Sequence, residues 1–133
     1  MVWKAAAGSA LLIQTDPQNK HLFAILHDPM PFPGLGNSPM CVFVNITSAT
    51  SHRDRTCVLA QGCHQFVTHE SVIAYKYARI EEAAILESAV TSGKFISAAP
   101  IDHALRLRIL NGLLISPHTS GEYRGYAKQI PKT

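Results

Sequence analysis

The chain is predicted to fold as one mainly β domain carrying one or two helices. Short runs dense in valine, isoleucine, leucine and phenylalanine recur at 10–15, 21–27, 40–47 and 56–60, and each is bounded by Gly, Pro, Asn, Asp or Ser. Only two stretches, 81–91 and the one beginning near residue 101, carry helix start and stop signals. At 133 residues the chain has material for a single hydrophobic core.

Residues 10–15 (ALLIQT) read as a buried strand, and Asp16-Pro17-Gln18-Asn19 is a turn signal. The next strand, 21–27 (HLFAILH), stops at Asp28-Pro29, where proline removes a ladder donor and restricts the residue before it. The glycines and prolines of 31–39 (PFPGLGNSP) cannot continue a regular element. A loop of this length is read either as a functional lid or as a mobile insert.

Residues 40–47 (MCVFVNIT) form the central strand, rich in valine and phenylalanine. A hydroxyl-rich turn (47–51) leads into His52-Arg53-Asp54-Arg55, followed by a strand at 56–60. Residues 71–80 alternate partly and read as one strand, with helix as the alternative. In 81–91 acidic residues precede good helix formers and Gly93 lies just beyond, which predicts a short helix. From Ile101, apolar residues recur at helical spacing with Ser97 or Asp102 as N-cap, and Asn111-Gly112 suggests the end. The domain is therefore expected to occupy 1–115, with 116–133 as a partly ordered tail.

Composition narrows the function classes. With 47% hydrophobic and 16% charged residues, a disordered chain is excluded. The charge of +3, which seven histidines can raise at lower pH since an unperturbed imidazole has a pKa of ~6.5, permits a polyanionic partner. Cys41, Cys57 and Cys63 are too few and odd in number for a disulfide framework, which favours a reducing compartment. Gly8 and Ser9 interrupt the apolar stretch 5–13, which lacks a signal-peptide cleavage pattern. No apolar run approaches the ~20 residues that span a bilayer. A cytoplasmic protein without a membrane partner is expected.

Chemistry is concentrated between Met40 and Glu82. Cys57, Cys63, His64 and His69 are zinc-type ligands, but their spacing lacks the paired C-x(2–4)-C pattern, and Cys57 suits a core position. No metal or other cofactor is expected. His52, His64 and His69 are acid–base candidates, with Asp54 and Glu70 to orient an imidazole and Arg53, Arg55 and Lys76 to hold an anion. Metal-free RNA cleavage needs these types: a base for the 2′-hydroxyl, an acid for the leaving 5′-oxygen and positive charge against the phosphate. Asn45-Ile46-Thr47-Ser48, at the end of the most apolar strand, can bind phosphate or simply cap a turn.

The order of a strand, a long loop, VFVNITS, a polar loop, TCVL and HESVIAYKYARIEE resembles the PemK/MazF family of toxin endoribonucleases, over about residues 20–86. The resemblance implies a small SH3-like barrel and a metal-independent endoribonuclease of a bacterial toxin–antitoxin pair. Its partners would be single-stranded RNA, an antitoxin protein and a second copy of the chain. Thr47 stands in the place of the family's threonine at the strand end, and Ser71 in that of its later serine. The family's catalytic arginine has no counterpart before HLFAIL, where Lys20-His21 stand. Lys20, His21 or Arg53 is left to supply that charge, although a lysine does not reproduce a bidentate fork.

The catalytic candidates are therefore Thr47, His52 and His64. The substrate-binding candidates are Lys20, His21, Arg53, Arg55, Ser48 and Ser71. The alternatives are a non-catalytic SH3-like module that binds peptide or nucleic acid, and a zinc-dependent hydrolase using Cys63, His64 and His69.

Overall fold

The computed structural model describes residues 2–49 and 54–132. Strands β1 (Ala10–Asp16) and β2 (Asn19–Ile25) form a hairpin whose turn is held by Asp16, its Oδ1 accepting from the amides of Gln18 and Asn19, both at 2.9 Å. Next come β3 (Met40–Ser48), β4 (Val58–Leu59), β5 (Ser71–Ile73), a 3-10 turn at Tyr75–Tyr77, and β6 (Arg79–Glu82). Helix α1 (Ala83–Thr91), β7 (Ile96–Ala98), α2 (His103–Ile115) and α3 (Gly121–Gln129) complete the chain. No helix among the described residues is long and apolar enough to cross a membrane.

All pairings are antiparallel, in the order β4-β5-β3-β2-β1-β7, with β6 also on β3. The mainly β class holds, but the barrel expected from the resemblance is not closed: the sheet ends on β4 and β7. Helix α2 supplies Leu105, Ile109 and Leu113 to the core that Leu22, Val42, Val44 and Ile46 form on one face. Apolar surface that a closed barrel buries against its own far wall is buried against a helix here.

Strand alternation divides β3 between two cores. Val42, Val44 and Ile46 face α2, while Cys41 and Phe43 join Leu11, Phe23 and Ile25 under Ala83 and Leu86 of α1. Asn45 lies on this second face and is 8% exposed, a polar residue at a core register position.

The single strand expected at 71–80 is interrupted. Ile73 pairs with Ile46 and Arg79 with Phe43, so residues 74–78 stand against only Val44 and Asn45. This wide bulge lets the fully buried Tyr75 turn into the α2 core, where its hydroxyl donates to the Ile109 carbonyl at 2.8 Å. Gly112, expected at the end of α2, is internal to it because the Tyr75 ring lies against its Cα. Asp102 is the N-cap, its Oδ1 accepting from the Leu105 amide at 2.7 Å, while Ser97 belongs to β7.

The 31–39 loop is pinned at Phe32, which is buried between the rings of His27 (5.5 Å) and Tyr126 (5.2 Å), while most of its other residues are exposed. One further expectation changes. The segment read as a partly ordered tail carries α3, a third helix. The Arg124 guanidinium donates to the carbonyls of Leu114, Ser116 and Thr119 and so satisfies the end of α2. Polar, glycine-containing sequence hid a helix that is held by tertiary contacts.

His27 gives the fold a pH dependence. Its Nδ1 donates to the Asp28 carbonyl (2.7 Å) and its Nε2 accepts from the Val42 amide (2.9 Å), so the ring is neutral. Burial lowers its pKa, as does Arg106, against the opposing pull of Asp28. The unfolded chain therefore binds this proton more readily, and the contribution of His27 to stability is complete above pH ~6.5 and lost as the pH falls below it, by at most about 1.4 kcal/mol per pH unit. Melting temperatures of wild type and His27→Gln between pH 8 and 5 check this: the substitution should flatten the acid side of the profile.

Candidate functional site

The bulge at 74–78 opens a cavity on the Asn45 side of the sheet. Ala74, Tyr77 and Arg79 line it from the bulge and the start of β6, Asn45 and Thr47 from β3, and Thr15, His21 and Phe23 from the β1–β2 hairpin, enclosing about 330 Å³. A second cavity of about 370 Å³ adjoins it, lined by Lys20, His21, Thr47, Ser48, Phe66, His69 and Ser71 among others. Both lie in the lower part of the size range of small-molecule sites.

His21 and Thr47 line both cavities. The β2–β3 register explains why they are neighbours: Phe23 pairs with Asn45 and Leu22 with Ile46, and one further step sets His21 beside Thr47. Thr15 and the Nδ1 of His21 share a hydrogen bond of 2.6 Å, which leaves the Nε2 of His21 without a partner among the described residues. A hydroxyl and an orientable imidazole thus stand on the partition between two basins.

Each basin has its own cation. On one side the Arg79 guanidinium lies over the Phe23 ring, 4.9 Å from its centroid, which holds the planar fork at the cavity wall. Lys20 stands on the other side. Arg79 escaped the sequence reading because it is ordinary strand sequence until the bulge aligns it with Phe43. The available signal was the strand-like alternation that places Arg79 opposite in phase to Ile80.

The expected residues divide into two groups. Thr47, Lys20, His21, Ser48 and Ser71 converge on the cavities, where the Ser71 hydroxyl donates to the His69 carbonyl at 3.0 Å. His64 does not converge: it is buried, with Nε2 bonded to the Ala99 carbonyl (2.6 Å) and Nδ1 accepting from the Phe66 amide (3.1 Å). Both ring nitrogens are occupied by backbone, which makes the residue a brace for its loop. Arg55 lines neither cavity and forms an exposed ion pair with Glu70 at 3.0 Å. Asp54 accepts from Ser116 Oγ at 2.6 Å and the Thr56 amide at 3.0 Å, and so anchors the strand entry to the end of α2. His52 and Arg53 lie outside the described residues.

Among the described residues, no three His, Cys, Asp or Glu side chains come together as metal ligands, so Cys63, His64 and His69 form no zinc set. Burial pushes the Cys41 thiol up to about 12 and raises that of Cys57. Both behave as apolar core residues.

No family model, no curated protein and no solved structure matches the chain.

Proposed function

We propose that this chain is a metal-independent, toxin-like endoribonuclease that cleaves single-stranded RNA at the partition between its two cavities. The observation that carries the reading is that His21 and Thr47 line both basins, with Arg79 on one side and Lys20 on the other. A phosphodiester laid across the partition puts one nucleotide in each cavity and the scissile phosphate beside an imidazole, a hydroxyl and a guanidinium.

In this reading His21 takes the proton of the 2′-hydroxyl, whose oxygen attacks phosphorus. The 5′-oxygen leaves with a proton supplied from the second cavity, where His69 is the further imidazole. Arg79 and the Thr47 hydroxyl stabilise the equatorial oxygens, and Lys20 draws in the backbone. The products are a 2′,3′-cyclic phosphate and a 5′-hydroxyl. The same reading treats the seven-stranded sheet as an SH3-like barrel left unclosed between β4 and β7. Homodimerisation and an acidic antitoxin segment that covers the cationic cavities belong to the proposal as well.

Incubation of the purified protein with a single-stranded RNA ladder, with and without chelator, tests it. Cleavage should resist chelator and leave cyclic phosphate ends, and His21→Ala should slow it by about 10²–10⁴-fold. Thr47→Ala should also reduce the rate. RNA that stays intact, or cleavage that stops with chelator, rejects the proposal; RNA that is bound but uncut points instead to a non-catalytic binding module.

A further inference from the structure

Among the described residues two buried side-chain oxygens have no hydrogen-bond partner, those of Asn45 and Thr119, and only Asn45 lines one of the two cavities. Its side chain lines the Arg79 cavity from a strand position flanked on its face by apolar Phe23 and Phe43 on one side and Thr47 on the other. It is more than nine-tenths buried, and its Oδ1 has no hydrogen-bond partner among the described residues. An unpaired buried carboxamide oxygen is costly and rarely retained without a use. Fold requirements do not explain it, since an apolar side chain at this position would join the adjacent core.

The cavity around Asn45 suits a planar base. Tyr77 lines the cavity and is 57% exposed as a residue, with the Lys76 ammonium over its ring at 5.0 Å from the centroid. Such a ring is a stacking platform for any base, whereas a carboxamide discriminates between bases. Rotation about the terminal torsion of Asn45 breaks no bond of its oxygen to protein and turns that oxygen to the ligand.

We infer that Asn45 is a specificity-determining residue that selects, for the Arg79 cavity, a base presenting an exocyclic amino group beside a ring-nitrogen acceptor, as adenine does. Its Oδ1 accepts from the adenine amino group while its Nδ2 donates to the adjacent ring nitrogen, the pairing that asparagine makes with adenine. The inference rests on the ribonuclease reading for the presence of RNA, but not on cleavage.

Binding and cleavage separate the two. Fluorescence anisotropy with cleavage-resistant 2′-O-methyl oligouridylates carrying one adenine, one purine (adenine without its amino group) or neither gives the binding preference. The wild type should bind the adenine strand roughly 10- to 100-fold more tightly than the other two, and Asn45→Leu should bring it down to the level of the uridine strand. Because the purine strand is compared on the wild-type protein, the test survives a variant that does not fold. Equal binding of all three strands, or no binding, overturns the inference. Adenine-selective binding without cleavage of the matching 2′-hydroxyl strands upholds it and rejects the ribonuclease reading; cleavage without adenine preference does the reverse.

Discussion

Under the proposed ribonuclease function, Arg79→Ala should lower the rate of RNA cleavage by about 10²–10³-fold, the scale on which removal of one preorganised donor to a developing oxyanion is felt. Arg79 is the guanidinium of the cavity shared by His21 and Thr47, and the Phe23 ring fixes its plane before substrate arrives. Arg79→Lys keeps the charge and loses the fork, so it should recover only part of the rate. Stability should change little: the side chain is exposed, and a cation–π contact of this kind contributes about 0.5–1 kcal/mol. Initial rates and melting temperatures of the three proteins decide. If Arg79→Ala cleaves as fast as wild type, the phosphate charge is met elsewhere, with Lys20 the first candidate.

The second large effect is structural. A methyl group on Gly112 would overlap the Tyr75 oxygen and lie 2.6 Å from its Cζ, and the ring cannot retreat because it is fully buried and bonded to Ile109. Alanine at an internal helix position ordinarily gains about 1 kcal/mol over glycine. Here overpacking of about 1–3 kcal/mol, together with loss of a buried hydrogen bond of about 1 kcal/mol, should outweigh that gain. Gly112→Ala is expected to be destabilising by about 2 kcal/mol, a fall in melting temperature of several degrees for a domain of this size. Tyr75→Phe should not rescue it, since the ring carbons clash as well. Tyr75→Leu should rescue it in part, giving a double mutant more stable than the summed losses predict. A Gly112→Ala protein as stable as wild type would mean that the helix and the bulge move apart freely.

The same bulge explains how far the site was legible beforehand. Residues 40–48 read as a central strand because valine and phenylalanine alternate over two faces, and the hairpin before it was marked by Asp16 and Asn19. Together these bring Lys20 and His21 to Thr47 and Ser48, since antiparallel neighbours meet wherever register sets them. The place of His64 is not legible in sequence, because a histidine in a polar loop carries the same letters whether its nitrogens face a cavity or backbone; the bond to Ala99 spans 35 residues. The C-terminal helix was hidden for a related reason: Arg124 and Tyr126 are surface-like letters that become structural only against Ser116 and Phe32.

Local pattern sufficed for the mainly β class, the first three strands and a choice of two N-caps for α2, because turn chemistry and strand alternation act over a few residues. The meeting of Thr47 with Lys20 or His21 is expected only from the family resemblance. The open edges of the sheet, the entry of Arg79, Tyr77 and Asn45 into one cavity and the internal place of Gly112 came from packing. Each depends on which distant surfaces exclude water together, and the five residues set against two in β3 become a bulge only because Tyr75 has a helix to bury itself against.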